Sequence, residues 1–245
     1  MPNRIDGWRW AEKVWFSFVV GVTLGWPANS LGQSTKDFIR AGELAGKITV
    51  QIHTSDFTGK KWAQKVGAGT IIDPSGIVLT CSHVLGTHYR VRVRLIDNTQ
   101  YAAEVLGRFP EHDLAVLKFE PKEPIEAARG LKDELVAPGT AAICVGFPHG
   151  RRSKLAATIQ NYIPMEEKGP VRPRTPILYF KGTVVPGYSG GPLMSLDGKL
   201  LGVVIARSLE EPVGLAVPTE VLREDLKRIE LPKTSSEPGK ESSGS

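Results

Sequence analysis

The chain has 245 residues, of which 41% are hydrophobic and 23% charged, a size for one or two domains and a composition that can bury a core. Its 26 glycines and 18 prolines are scattered along the sequence, which favours short strands joined by turns over a helical bundle. The formal net charge of +5 does not indicate a nucleic-acid binder, because the basic residues are spread out and the one tight cluster, Arg151, Arg152 and Lys154, is typical of a solvated loop.

The amino terminus has the three-part pattern of an export signal. Basic residues precede an uncharged, mostly apolar stretch at residues 14–26, and residues 28–30 are small enough for cleavage. An uncleaved membrane anchor is the alternative, but a helix of this length spans only about 20 Å, short of the ~30 Å hydrocarbon core. We therefore interpret residues 1–30 as a signal peptide, which predicts a secreted or periplasmic protein that contacts a membrane only if this segment is retained.

Short apolar or alternating segments follow one another through the rest of the chain, separated by turn sequences such as DPSG at residues 73–76. These segments predict strands at residues 47–54, 67–72, 77–80, 90–96, 100–109, 114–119, 141–145, 155–162, 177–180 and 200–206. The pattern at residues 219–230 predicts one helix, with Thr219 as its N-cap. Its apolar side chains fall near one face, and they are Val221, Leu222, Leu226 and Ile229.

Many short antiparallel strands predict an all-β barrel or sandwich, and about 195 ordered residues fit two barrels in tandem better than one. We expect the first barrel at residues 47–120 and the second, with the C-terminal helix, at residues 139–232. Residues 121–138 would connect them, and residues 31–46 would form a linker or a short helix. Residues 233–245 lack large apolar side chains and are predicted to be disordered.

The clearest chemical signature is the string PGYSGGPL at residues 186–193. Glycines on both sides of Ser189 let the backbone turn sharply and direct N–H groups inward, where they could stabilise the oxyanion of acyl transfer. An α/β-hydrolase is a rival interpretation, but it requires a histidine after the serine. All five histidines precede Ser189, and they are His53, His83, His88, His112 and His149.

A serine hydroxyl needs a base to accept its proton, and His83 is the best candidate because it directly follows an apolar strand. The base in turn needs a carboxylate to orient it. Asp113 leads the apolar segment 114–117, where an unpaired charge would be costly. Asp73 and Asp97 are alternatives, although both lie in sequences typical of turns.

Three strings around these residues resemble the histidine, aspartate and serine motifs of trypsin-like proteases. They are TCSHVL at residues 80–85, HDLAVLKF at residues 112–119 and PGYSGGPL at residues 186–193. The closest likeness is to the protease domain of the HtrA (Deg) family, over about residues 48–221. The strings GAGTIIDPSGIVLT, VGFPHG, LLGVVIA and VGLAVP add to it.

This resemblance implies two six-stranded antiparallel β-barrels with a short C-terminal helix, and a His83, Asp113 and Ser189 triad in the cleft between the barrels. It also implies an oxyanion hole made by the backbone N–H groups of Gly187 and Ser189. The sequence departs from the family at Tyr188, where many members carry Asn and where the bulkier side chain could affect a subsite. Since HtrA proteins usually continue into a PDZ domain and only residues 233–245 remain, no PDZ domain is expected.

The resemblance further implies that Val204, Ile205 and Ala206 pair with the substrate backbone and form one wall of the specificity pocket. Leu215 would also line this pocket. Because these side chains are apolar, we expect cleavage after small or medium aliphatic residues.

The sequence therefore predicts a serine endopeptidase that acts on proteins or peptides, with a role in extracytoplasmic protein quality control. A catalytically silent peptide-binding protein on the same fold is the alternative. Cys81 and Cys144 are too few for a disulfide framework and lack metal-ligand spacing, so we interpret both as small buried residues. No metal or other cofactor and no nucleic acid is expected, and the oligomeric state is not indicated.

Overall fold

The computed structural model describes residues 35–55, 62–87, 90–129, 136–165, 175–207 and 212–229. The predicted signal peptide at residues 1–30 and the predicted disordered tail at residues 233–245 lie outside these ranges, as does His88. No helix within the described ranges has the length and apolar character needed to cross a membrane.

The first six strands form a closed antiparallel barrel in the order β1-β2-β3-β6-β5-β4. Their bounds are β1 (Thr49–Ser55), β2 (Trp62–Asp73), β3 (Ile77–Cys81), β4 (Arg90–Arg94), β5 (Gln100–Phe109) and β6 (Leu114–Lys118). Strand β3 is buried along its whole length, which agrees with its continuous apolar sequence. Strand β4 alternates exposed or half-exposed arginines with buried valines, as expected for a strand with one face toward the core.

The next six strands form a second closed antiparallel barrel in the order β10-β11-β12-β9-β8-β7. Their bounds are β7 (Ala141–Gly146), β8 (Ser153–Met165), β9 (Thr175–Lys181), β10 (Pro192–Ser195), β11 (Leu200–Arg207) and β12 (Val213–Pro218). The two barrels confirm the predicted fold class. The predicted strand segments include neither β10 nor β12, because β10 has only four residues and β12 carries Gly214 and ends at Pro218.

Three α-helices accompany the barrels in the described part of the chain: α1 (Thr35–Lys47), α2 (Ser82–Leu85) and α3 (Thr219–Lys227). Helix α1 occupies most of the segment predicted as a linker or short helix. Helix α3 buries Val221 and Leu222, as its sequence predicts. The prediction that Thr219 caps this helix is wrong: Pro218 holds the N-cap position without a side-chain cap, because β12 runs directly into the helix.

Helix α1 precedes the first barrel in sequence but packs on strand β7 of the second. Gly42 allows this approach, since a Cβ atom there would lie 2.9 Å from Ile143 Cδ1. The chain then enters β1, and Lys47 at the end of α1 binds Glu126 in the connection between the barrels at 2.7 Å. The helix therefore contacts both barrels on the side where they are joined.

Both cysteines are fully buried and carry free thiols. This confirms their interpretation as small core residues. Burial raises the pKa of the Cys81 thiol and of the Cys144 thiol, so both stay protonated at neutral pH.

Candidate active site

His83 and Asp113 meet at one end of the first barrel. Strands β3 and β6 are antiparallel neighbours, with Cys81 opposite Leu114. The residues just after β3, which include His83, therefore lie near Asp113, which directly precedes β6. Asp113 Oδ2 lies 2.5 Å from His83 Nδ1, and Asp113 Oδ1 accepts the backbone N–H of His83 at 2.9 Å. The carboxylate therefore holds both the ring and the backbone of His83.

The backbone before β6 explains why Asp113 faces His83. A 3₁₀ turn at Pro110–His112 ends at Asp113, which adopts a left-handed conformation with φ of 54°. Aspartate is among the few residues that tolerate this conformation. The turn directs His112 the other way, and its Nδ1 lies 2.7 Å from Asp225 Oδ2 on helix α3.

Hydrogen bonds attach the serine loop, residues 182–191 between β9 and β10, to the first barrel. The Ala68 N–H donates to the Ser189 carbonyl at 2.8 Å, and Thr70 Oγ1 donates to the Gly190 carbonyl at 3.0 Å. Gly190 has a φ of 86°, and a Cβ atom there would lie 2.0 Å from the Ala68 oxygen, so only glycine fits. Cys81 Sγ, two residues before His83, donates to the carbonyl of Val204 on β11 at 3.2 Å. These bonds bring the backbone of Ser189 and the end of β3, which precedes His83, to one junction between the barrels.

The Ser189 hydroxyl is half-buried and donates a long hydrogen bond of 3.5 Å to the Ile205 carbonyl. This carbonyl is directed at the serine because of a β-bulge between β11 and β12. Val204 pairs with Ala216 and Ala206 with Leu215, so Ile205 is the extra residue and has no partner in the ladder.

Two backbone amides flank the same serine. The Gly187 carbonyl accepts the Phe147 N–H at 2.9 Å, and the Tyr188 carbonyl accepts the Gly191 N–H at 2.9 Å. In a planar trans peptide the N–H points opposite to the carbonyl, so the second bond directs the Ser189 N–H away from Gly191. Within the described ranges neither the Gly187 N–H nor the Ser189 N–H donates to a protein acceptor. Both amides can therefore bind a ligand oxygen.

The four residues expected to contact substrate do not share one environment. Val204 is fully buried, its N–H donates to Gly191 and its carbonyl accepts from both Gly190 and Cys81. It has no free backbone group for a substrate, which corrects the expectation that all of residues 204–206 pair with one. Ile205 is buried, with only 8% of its surface exposed, whereas Ala206 and Leu215 are partly exposed beside the bulge.

The remaining candidates lie elsewhere. Asp73 and Asp97 each accept a backbone N–H inside their own turn at 2.8 Å, so neither orients His83. His53 lies on β1 and bonds Gln51 at 3.0 Å, and His149 is exposed in the turn before β8. Tyr188 is only 4% exposed and is a core residue of the second barrel. The sequence did not reveal that this side chain points inward, since its neighbours are glycine and serine.

Two clusters of metal-type ligands occur among the described residues. One is Cys81 with His83 and Asp113, where the thiol is held protonated by burial. The other consists of Glu111, His112 and Asp225. There the guanidinium of Arg228 lies 2.5 Å from Glu111 and 3.3 Å from Asp225, and supplies the positive charge that a cation would bring.

Two closed six-stranded barrels, with a histidine–aspartate pair on the first and a glycine-flanked serine on the second, define the class of trypsin-like peptidase domains. The family model described as a trypsin-like peptidase domain matches residues 67–203, which include all three of these side chains. The chain belongs to this family. Within it, the chain is similar to HtrA and DegP-like proteins.

Two curated relatives illustrate this similarity. The chain is 30% identical over 176 residues to mitochondrial serine protease HTRA2 of Bos taurus, an alignment that covers 71% of this chain and 38% of the relative. It is 34% identical over 144 residues to a probable periplasmic DegP-like serine endoprotease of Pseudomonas fulva, which covers 58% of this chain and 29% of the relative. The chain thus spans less than half the length of these relatives.

Solved structures share the fold. The active form of the Rv3671c protease from M. tuberculosis superposes with a TM-score of 0.71 at 22% identity, over 83% of this chain and 90% of that chain. The inactive form of the same protease gives a TM-score of 0.67 at 23% identity, over 81% and 97% of the two chains.

Proposed function

We propose that this protein is a serine endopeptidase in which His83, Asp113 and Ser189 form the catalytic triad. The observation that carries the proposal is that Asp113 makes two hydrogen bonds to His83. Its Oδ2 lies 2.5 Å from the imidazole Nδ1, and its Oδ1 accepts the backbone N–H at 2.9 Å. The proposal is also supported by the relatives, which are named as serine proteases or endoproteases.

The reaction is acyl transfer in two steps. The Ser189 hydroxyl turns from the Ile205 carbonyl toward His83 Nε2, gives up its proton and attacks the carbonyl carbon of the peptide. The developing oxyanion accepts hydrogen bonds from the N–H groups of Gly187 and Ser189. His83 then protonates the leaving amine, and a water molecule, deprotonated by His83, hydrolyses the acyl-enzyme. Asp113 keeps the Nδ1 proton of His83 in place and stabilises the imidazolium.

The substrates are proteins or peptides that bind beside the bulge on β11. Once the Ser189 hydroxyl has turned away, the Ile205 carbonyl can accept a backbone N–H of the substrate. Ala206 and Leu215 line the pocket next to it, so cleavage follows small or medium aliphatic residues. The DegP-like relative is named as periplasmic, and the amino-terminal pattern agrees, so the protein acts outside the cytoplasm.

The test compares the wild-type protein with Ser189→Ala. Wild type should be labelled by a fluorophosphonate and should cleave casein, with product termini that follow aliphatic residues, and Ser189→Ala should do neither. Ser195→Ala is the matched control, since this serine bonds Lys199 within a turn of the second barrel and should leave labelling intact. Folded wild type that is never labelled and leaves casein intact would instead indicate the catalytically silent alternative.

A further inference from the structure

Tyr188 lies between the two amides assigned to the oxyanion hole, and every polar group it has is hydrogen bonded. Its N–H donates to the Val185 carbonyl at 3.3 Å, and its carbonyl accepts the Gly191 N–H at 2.9 Å. Its phenol is buried and donates to Ser153 Oγ at 2.9 Å. Ser153 is the first residue of β8, so the side chain connects the serine loop to the barrel wall.

The wall of the second barrel is shaped for this ring. Gly146 ends β7 and pairs with Ser153 across the ladder. A Cβ atom on Gly146 would lie 2.7 Å from Tyr188 Cα and 2.8 Å from Tyr188 Cδ1. The ring therefore packs over the last pair of the β7–β8 ladder, in space that only a glycine leaves open.

The turn between β7 and β8 holds the neighbouring amide as well. Its first residue, Phe147, donates its N–H to the Gly187 carbonyl at 2.9 Å. Gly150 in the same turn accepts a bond of 3.2 Å from Gln51 Nε2 on the first barrel. The β7–β8 turn, together with Ser153 at the start of β8, thus bonds the backbone of Gly187 and the side chain of Tyr188. The same turn is bonded to the first barrel.

We propose that Tyr188 is a positioning residue for catalysis. Its hydrogen bond to Ser153 holds the serine loop in the conformation that leaves the N–H groups of Gly187 and Ser189 free for the oxyanion. This inference rests on the proposed function. Since an oxyanion forms only in the transition state, loss of the bond lowers kcat and leaves substrate binding unchanged.

The variant Tyr188→Phe removes only the phenol oxygen, and Ser153→Ala removes the acceptor from a half-buried site. We expect either change to lower kcat about three- to tenfold, the effect of one neutral hydrogen bond, with KM on a valyl peptide anilide within about twofold of wild type. The Ki of a peptidyl boronate, whose adduct oxygen occupies the oxyanion site, should rise by the same factor as kcat falls. The double variant should be no worse than either single one, because both remove the same bond.

Tyr101→Phe is the matched control, since this half-buried tyrosine packs against Phe119 in the first barrel and should retain wild-type kcat and Ki. The inference is overturned if Tyr188→Phe and Ser153→Ala both keep wild-type kcat, if their effects add in the double variant, or if KM changes in place of kcat. A wild-type protein without activity would instead refute the proposed function, and this inference with it. If Tyr188→Phe does not fold, the kcat and KM of Ser153→Ala decide whether the inference stands.

Discussion

Replacing Asp113 by asparagine changes the proton arrangement of His83 with little change in shape. In the wild type Oδ1 accepts the His83 backbone N–H at 2.9 Å, and Oδ2 lies 2.5 Å from Nδ1. The amide oxygen of an asparagine can keep the first bond, which leaves its NH₂ group facing Nδ1. Two donors cannot face each other, so Nδ1 must become the acceptor and the ring proton moves to Nε2. His83 then cannot accept the Ser189 proton.

The size of the effect follows from this change of tautomer. A triad histidine held in the wrong tautomer costs about 10⁴ in kcat, or roughly 5 kcal/mol of transition-state stabilisation. KM should stay near the wild-type value, because Asp113 does not contact the substrate. The free energy of unfolding should change by no more than about 1 kcal/mol, because the partly exposed side chain keeps its hydrogen bonds.

The assay is steady-state cleavage of an aliphatic peptide anilide, together with the rate of fluorophosphonate labelling. Asp73→Asn and Asp97→Asn are the controls, since each side chain accepts a bond inside its own turn and asparagine can do the same. Both controls should retain wild-type rates. If kcat of Asp113→Asn were within tenfold of wild type, Asp113 would not be the residue that orients the base.

Three further predictions concern stability, each measured by urea unfolding. Gly190→Ala should lower the free energy of unfolding by roughly 2–4 kcal/mol, because its Cβ atom would clash with the Ala68 oxygen and because alanine is strained at this positive φ. A near-neutral change would contradict the described contact between the barrels. Burial and two nearby arginines lower the pKa of His53 below the unfolded value of about 6.5. The unfolded chain therefore binds a proton at His53 more readily than the folded protein does, so the free energy of unfolding of wild type should decrease as the pH falls below about 6.5. His53→Gln should lack this decrease. Parallel plots of unfolding free energy against pH for the two proteins would refute this prediction. Asp225→Ala should lower the free energy of unfolding by about 1–3 kcal/mol, because it removes the buried carboxylate that bonds the His112 ring at 2.7 Å. An unchanged urea midpoint would show that this bond does not stabilise helix α3.

Local patterns accounted for most of the elements. Strand β5 spans the same residues, 100–109, that its alternation predicted, and the turn at residues 73–76 was evident from its composition. Patterns failed where the element was too short or its backbone irregular. Strand β10 has four residues, and the packing of helix α1 on β7 depends on contacts with residues about a hundred positions away, which no local window contains.

The candidate site divides in the same way. The residue types and their order pointed to Ser189, His83 and Asp113, because the chain has only five histidines and the strings around these three residues are distinctive. The sequence left Asp73 and Asp97 open, and it treated Val204 like Ile205. The structure separates them through the αL conformation of Asp113 and the bulge on β11.

By itself, the sequence determined the chemistry available to this protein and the positions of most of its strands, since both depend on residue type and on neighbours along the chain. Only the tertiary structure decided which carboxylate contacts His83, which carbonyl faces Ser189 and where the ring of Tyr188 is buried. Those outcomes depend on backbone dihedrals and on hydrogen bonds between residues far apart in the sequence. Both are determined only when the two barrels have closed and packed against each other.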